Sequence, residues 1–412
     1  MRIDPARLWD DLMAIGAITE PDRPWTRRSF SPLFLEGRAF LRDRLEAAGL
    51  QVRIDTAGNL IGRLEGREPG LPAIALGSHS DTVPAGGRFD GVAGVIAALE
   101  VARAIAEGGG LSHPIEVIDC LAEEPSDFGL SCIGSRGMTG QLTVEMLAMA
   151  DKSGRTLGDA LGAVGGDPGA IASAERSDLA AFLELHIEQG PVLEAERIDL
   201  GIVTAIVGIR RVEVEFAGEA AHAGTAPMHL RRDAGYAGAR TIVRIRELAE
   251  MLAATPEAYF VATVGVVELR PGGSNVVPGF CRLVVDVRSS DTALTDLFMR
   301  TLAHDTLEIA AAARVERWRL EVLSDGVPAA CDPRLRAVME EAADALGRST
   351  IAIASGAGHD AAFMARVCPA AMIFIPCLKG MSHNPAEYSS PEQVAIGTET
   401  LLETVRRLDR IL

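Results

Sequence analysis

Residues able to bind a metal ion stand directly after apolar runs at four places in this chain. Ala73 to Leu76 leads into Gly77-Ser78-His79-Ser80-Asp81 and then Arg88-Phe89-Asp90-Gly91. Ile115 to Leu121 leads into Glu123-Glu124, and Ala181 to Ile187 carries His186, with Glu188 just after it. Ala371 to Cys377 leads into Met381-Ser382-His383-Asn384. Three histidines, one aspartate and one glutamate suffice for two divalent ions if one carboxylate bridges them. Imidazole and carboxylate donors without thiolate suit zinc or manganese, and argue against a structural zinc site. Asp81, two residues beyond His79, is placed to accept the other imidazole N–H and fix its tautomer. Glu123 and Glu124 are adjacent and point in different directions, so one can bind metal while the other stays free as a base.

Each piece has an ordinary explanation. A strand-end histidine is usually structural or on the surface, and a pair of glutamates is usually solvated charge. Gly86-Gly87 and Gly91 could simply shape a turn. Their joint appearance at strand ends, in a chain with eight histidines, favours the two-metal reading. His113 and His304 are expected at the surface, and His229 is ambiguous because it lies near His222. Cys132 has no partner at nucleophile spacing.

The elements that must position these groups alternate. Phe34 to Leu50 reads as an amphipathic helix, and Val92, Val95, Ile96 and Leu99 mark another helix face. With the apolar runs as strands, the first 200 or so residues predict an open, parallel or mixed sheet covered by helices on both faces. Ligands of such sheets bind beyond the carboxyl ends of the strands, so several strand ends bearing His, Asp and Glu point to one shared site. From Arg211 the rhythm changes. Strand Val212–Phe216, helix Asp233–Ala253, strands Phe260–Leu269 and Arg282–Arg288, helix Thr292–Ala313 and strand Trp318–Leu323 give the order β-α-β-β-α-β, a split-βαβ domain inserted in the first. The α/β pattern then resumes. The expected fold is therefore α/β, with residues 1–211 and 326–412 forming the sheet domain and residues 212–325 the insertion.

Composition narrows the class. The chain has 412 residues, 48% of them hydrophobic and 24% charged, enough for two cores and unlike a disordered chain. A net charge of −17 argues against nucleic acid as a partner and requires a local cationic site for any anionic substrate. The six scattered cysteines form no C-x-x-C pair and read as reduced, buried thiols. The start, MRIDPARLWDDLM, has acids where a signal peptide needs an apolar stretch, and no apolar run is long enough to span a membrane. A cytoplasmic enzyme without a membrane partner is expected.

The segments GSHSDTVPAGGRFDG, AEEPSDFG, GSRGMTG, LELHIEQGPVLE, AHAGTAPM with RRDA, SGAGHDA and MSHNPAE resemble the hydantoinase/carbamoylase family of amidases, within the aminoacylase-like clan of dinuclear metallohydrolases. The matches run in order from about residue 77 to 390. The resemblance implies that His79, Asp90, Glu124, His186 and His383 bind two divalent ions, zinc or manganese, with Asp90 as the bridge. It implies that Glu123 is the general base, taking a proton from the attacking water and delivering it to the leaving nitrogen. By the same analogy the insertion is a ferredoxin-like lid and dimerisation domain. From it His222 would stabilise the oxyanion, and Arg288 with Asn275 would hold the substrate carboxylate. Gln189 would hydrogen-bond the ureido group. Arg288 read by itself could equally be a strand-end surface charge. Relatives of this kind are homodimers joined through the insertion, and lid closure would complete each site.

Two departures from the family pattern bear on specificity. Pro125-Ser126-Asp127 stands where many relatives have a small residue and an arginine, and Arg210-Arg211 where relatives tend to carry an aromatic. The implied activity is hydrolysis of N-carbamoyl-L-amino acids, releasing ammonia and carbon dioxide. Allantoate, 3-ureidopropionate and N-acyl amino acids are alternative substrates of the same chemistry. A dipeptidase of the wider clan fits LELHIEQGPVLE less well. A non-catalytic metal- or solute-binding relative would not need the free base beside Glu124.

Overall fold

The computed structural model describes residues 1–256 and 258–412, which divide into two compact units: Met1–Thr204 with Ala330–Leu412, and Ala205–Ala329. The second unit begins and ends outside the expected 212–325. The reason is the strand Gly208–Ala217, whose first residues pair in full register with Phe280–Ser289, from Ser289 opposite Gly208 onward. Arg210 and Arg211 belong to that ladder, opposite Val287 and Asp286.

The first unit is built on a mixed sheet. Four strands, Ile115–Cys120, Ala73–His79, Leu179–Ile187 and Ala370–Ile375, run parallel at its centre in that order. Antiparallel strands flank them: Leu60–Leu64 and Gln51–Ile54 on one side, Leu200–Ile206 on the other. The flanking strands Gln51–Ile54, Leu60–Leu64 and Leu200–Ile206 were not anticipated from the sequence. Every residue of Ala73–His79, Ile115–Cys120 and Ala370–Ile375 is buried, the pattern of strands covered on both faces. The helix Val92–Glu107 is buried almost all round, packed under the sheet beside Pro5–Gly16 and Pro391–Leu408. The last of these starts sharply because Ser390 and Gln393 form a capping box and Pro391 occupies the first turn. The consequence for function is directional. Four parallel strands release their carboxyl ends at one edge, where His79, Glu123, Glu124 and His186 emerge.

The second unit has the strand order Glu316–Asp325, Gly208–Ala217, Phe280–Ser289, Phe260–Arg270, all antiparallel, as a split-βαβ fold requires. Helices Ala234–Ala253 and Thr292–Ala313 cover one face, burying Val212, Val214, Phe216, Leu283, Val285 and Phe298. A short ladder, Val276–Val277 against Ala221–His222, is set apart from this sheet. Among the described residues no helix is long and apolar enough to cross a membrane.

Candidate active site

Asp90 is the centre of the cluster in the first unit. Its Oδ1 lies 3.2 Å from His186 Nε2 and 3.5 Å from His79 Nε2, and its Oδ2 lies 3.3 Å from His383 Nε2. His383 Nε2 is also 3.2 Å from Glu124 Oε1. His79, Asp90 and His186 thus converge on one side, and Asp90, Glu124 and His383 on the other, sharing one carboxylate. The backbone fixes the tautomers. His79 Nδ1 faces the Asp81 carbonyl at 3.0 Å and His186 Nδ1 the Ile187 carbonyl at 2.9 Å, so both Nδ1 atoms carry the proton. The Gly91 N–H donates to His186 Nε2, which marks that nitrogen as an acceptor. Lone pairs of imidazole and carboxylate therefore face each other in a buried site, an arrangement that a bound cation satisfies. The donor set, imidazole and carboxylate without thiolate, fits borderline to hard divalent ions.

The clustered groups also shift one another's affinity for protons. Burial opposes its charge, yet His186, His383 and His79 hold Asp90 well below the usual carboxylate range. Asp90 and Glu124 raise His383 to about 10. Burial, reinforced by Glu124, Asp360 and Asp81 against the pull of His79, pushes Glu123 well above an ordinary glutamate. Glu123 Oε2 lies 3.7 Å from His79 Nε2, on the opposite side of the cluster from the Glu124–His383 contact. The two adjacent glutamates are split between the two halves.

Unusual backbone geometry surrounds the cluster. Ala122, Cys132, Gln189 and His383 all have positive φ, between 52° and 57°. Such unfavourable conformations at non-glycine residues concentrate where a site over-determines them. Gly91 has φ 66° and ψ −49° and closes a γ-turn in which the Val92 N–H donates to the Asp90 carbonyl at 2.7 Å. Asp81 behaves differently from expectation: its backbone carbonyl orients His79, while its carboxylate stands 3.6 Å off and accepts from the Glu123 N–H at 3.2 Å. Gln189 donates to Asp90 Oδ2 at 2.8 Å and to Ser382 Oγ at 3.0 Å, and Ser382 donates to the same Asp90 oxygen. Glu188 is no ligand. Both its oxygens accept backbone N–H groups, from Val192 and Leu193, at the start of the helix Val192–Glu196.

Several groups were given no role from the sequence, although His359 and Asp360 stand within SGAGHDA. His359 lies edge-on to His186, ring centroids 4.5 Å apart, and burial with His186 keeps it well below an ordinary histidine. Asp360, raised to about 7 by burial and Glu184, accepts from Ser135 Oγ. Glu184 accepts from Ser78 Oγ and the Ala361 N–H. These form a buried polar layer under the cluster. The signal was available: strand Thr350–Ser355 runs into Gly356 and then His359-Asp360, the same strand-end pattern as the others. His113, expected at the surface, is buried with Nδ1 against the Pro72 carbonyl at 2.8 Å. His304 is exposed, beside Glu308 on its helix.

In the second unit His222 and Asn275 are neighbours. Val276 is opposite His222, and the Ala223 N–H donates to the Asn275 carbonyl. The Gly224 N–H donates to His222 Nδ1 at 3.1 Å, leaving Nε2 as the protonated, outward nitrogen. Arg288 is at the other end of its strand, half-buried, with Nε on Asp286 Oδ1 at 2.7 Å. The two departures are neutralised locally. Asp127 pairs with Arg28 at 2.7 Å, Arg210 forks onto Asp325 and reaches Asp296, and Arg211 faces Asp286.

A family model for peptidase family M20/M25/M40 matches residues 75–407, the stretch that carries every element of this cluster. The chain belongs to that family. It is 40% identical to an N-carbamoyl-L-amino-acid amidohydrolase of Paenarthrobacter aurescens over 93% of each chain. It is 35% identical to a ureidoglycolate hydrolase of Arabidopsis thaliana, over 99% of this chain and 87% of that one. A solved hydantoinase/carbamoylase family amidase from Burkholderia multivorans superposes with a TM-score of 0.90 at 37% identity, covering 98% of this chain and 97% of that one. The protein is thus an M20-type hydrolase with the mixed α/β fold of those amidases.

Proposed function

We propose that the protein hydrolyses the C–N bond of an N-carbamoyl-L-amino acid or a related ureido acid, giving the amino acid, ammonia and carbon dioxide. The observation that carries this reading is Asp90, whose two oxygens each face imidazole nitrogens, with Glu124 on one side and Glu123 beside the other. Divalent ions held by His79, His186 and Asp90, and by Asp90, Glu124 and His383, would polarise the carbonyl and acidify water. Glu123 takes the proton of the attacking water and returns it to the leaving nitrogen. His222 donates through Nε2 to the developing oxyanion, and Asn275 and Arg288 bind the substrate carboxylate. Gln189, already tied to Asp90, orients the ureido group.

The second unit supports a homodimer. Arg288 and Phe280 are separated by roughly 26 Å of extended strand, and the His222–Asn275 ladder lies beyond the Phe280 end. One lid cannot present all three residues to one small substrate, so a second copy would supply part of each site. All six cysteines are free and buried, in keeping with the reducing cytoplasm.

The test is ammonia release from N-carbamoyl-L- and D-amino acids, 3-ureidopropionate, allantoate and ureidoglycolate, with zinc, manganese and cobalt supplied separately. Turnover of one ureido acid, abolished by a chelator and restored by metal, is expected. Metal binding without turnover of any ureido acid overturns the substrate class, and absence of metal binding overturns the dinuclear centre. Mixing H222A and R288A subunits should restore part of the activity; its failure in a confirmed mixed dimer refutes the shared site.

A further inference from the structure

Glu387 is fully buried, although it belongs to the exposed loop that carries His383. Its Oε1 accepts two backbone N–H groups, from Phe89 at 2.8 Å and Asp90 at 3.1 Å. Its Oε2 is buried without a hydrogen-bond partner among the described residues. A carboxyl group in such a place is costly, and burial is only partly offset by two amides. The chain makes room for it at a specific point. Gly87 has φ 118°, and a Cβ there would lie 2.6 Å from Glu387 Oε2 and closer still to Oε1. The same two loops meet once more through the backbone, where the Asn384 N–H donates to the Gly86 carbonyl at 3.2 Å.

The two segments joined in this way are those that supply Asp90 and His383. His383 is half exposed and has positive φ, so its own packing does not fix it. Asp90 sits at the mouth of the γ-turn through Gly91, and its amide is one of the two that Glu387 holds. We infer that Glu387 is a positioning residue that staples the His383 loop to the Asp90 loop, so that the half of the centre made by Asp90, Glu124 and His383 is preformed. Glu387 touches neither substrate nor ion; it acts through the two backbone amides. Gly87 is the complementary half of the device, since any side chain there expels the carboxyl group. The inference rests on the dinuclear reading given above.

The test is zinc binding by the full-length apo-protein, read by native mass spectrometry and by competition with a fluorescent chelator. The wild-type chain is expected to hold two ions. In E387A one ion stays tight and the other weakens by about tenfold or more, the usual effect of losing an outer support of a metal ligand. E387Q keeps an acceptor of the same shape for the two amides and should hold both ions. G87A should reproduce the E387A defect with Glu387 still present. Two ions bound by E387A with wild-type affinity overturn the role of Glu387, as does E387Q failing as badly as E387A. If E387A does not fold, G87A decides: a weakened second ion supports the staple, and wild-type affinity overturns it. A wild-type chain that binds fewer than two ions overturns the dinuclear reading itself, a result separable from the others.

Discussion

Replacing Gly91 by alanine perturbs one ligand through one methyl group, and its effect can be worked from the structure. The added Cβ would lie 2.5 Å from His79 Cδ2 and nearer to Cε1 and Nε2, whereas ordinary contact begins at 3.4 Å. His79 is almost wholly buried and held at Nδ1 by the Asp81 carbonyl, so the ring must retreat by about 1 Å and strain that bond. A misplacement of about 1 Å in a reacting centre costs on the order of a hundredfold in rate. The backbone at φ 66°, ψ −49° adds about 1–3 kcal/mol of strain for a residue with a Cβ. G91A should therefore lose about a hundredfold in kcat/KM for the best ureido substrate. It should bind zinc more weakly and unfold earlier in urea. The control is G162A, an exposed helical glycine with open space around its Cβ, expected to gain up to about 1 kcal/mol and keep full activity. Wild-type kcat/KM and zinc affinity in G91A would refute the assignment of His79 to the centre.

Other outcomes follow from named contacts. E123Q should retain zinc but lose about 10²–10⁴-fold in kcat, as removal of a general base does; near-normal turnover excludes that role. R288A should raise KM for carboxylate substrates about tenfold or more while leaving the matching carboxamides almost unaffected, and equal losses on both dismiss the carboxylate clamp. R38A removes the partner of buried Asp119, whose Oδ2 accepts from Arg38 Nε at 2.9 Å and from Ser80 Oγ. Loss of about 3–5 kcal/mol in urea unfolding is expected, and a loss below about 1 kcal/mol would mean that Asp119 finds another partner.

Chemistry-bearing residues were legible because they follow apolar strands, and a parallel sheet must release its strand ends at one edge. That local rule located His79, Asp90, Glu123, Glu124, His186 and His383. It would also have located His359 and Asp360, had it been applied to the strand before them. The rule fails for groups whose role is set by contacts distant in sequence. Glu387 meets Phe89 and Asp90 from almost 300 positions away. Glu188, of a type able to bind metal and next to the same strand, instead caps the next helix.

By itself, then, the sequence determined which residue types could form a metal-binding cluster, and that an inserted split-βαβ unit interrupts an α/β sheet. Both are properties of short-range pattern: the period of apolar residues and the polar residues that end each run. Only the tertiary structure decided which oxygen of Asp90 meets which imidazole, and that Glu123 lies beside His79 while Glu124 lies beside His383. It also decided that Asp127 and Arg210 are neutralised by Arg28, Asp296 and Asp325. The physical reason is that charge pairing and ligand geometry depend on distances of a few ångströms. Those distances are set by turns with positive φ, by buried acids and by the packing of loops far apart in the chain, none of which leaves a periodic trace.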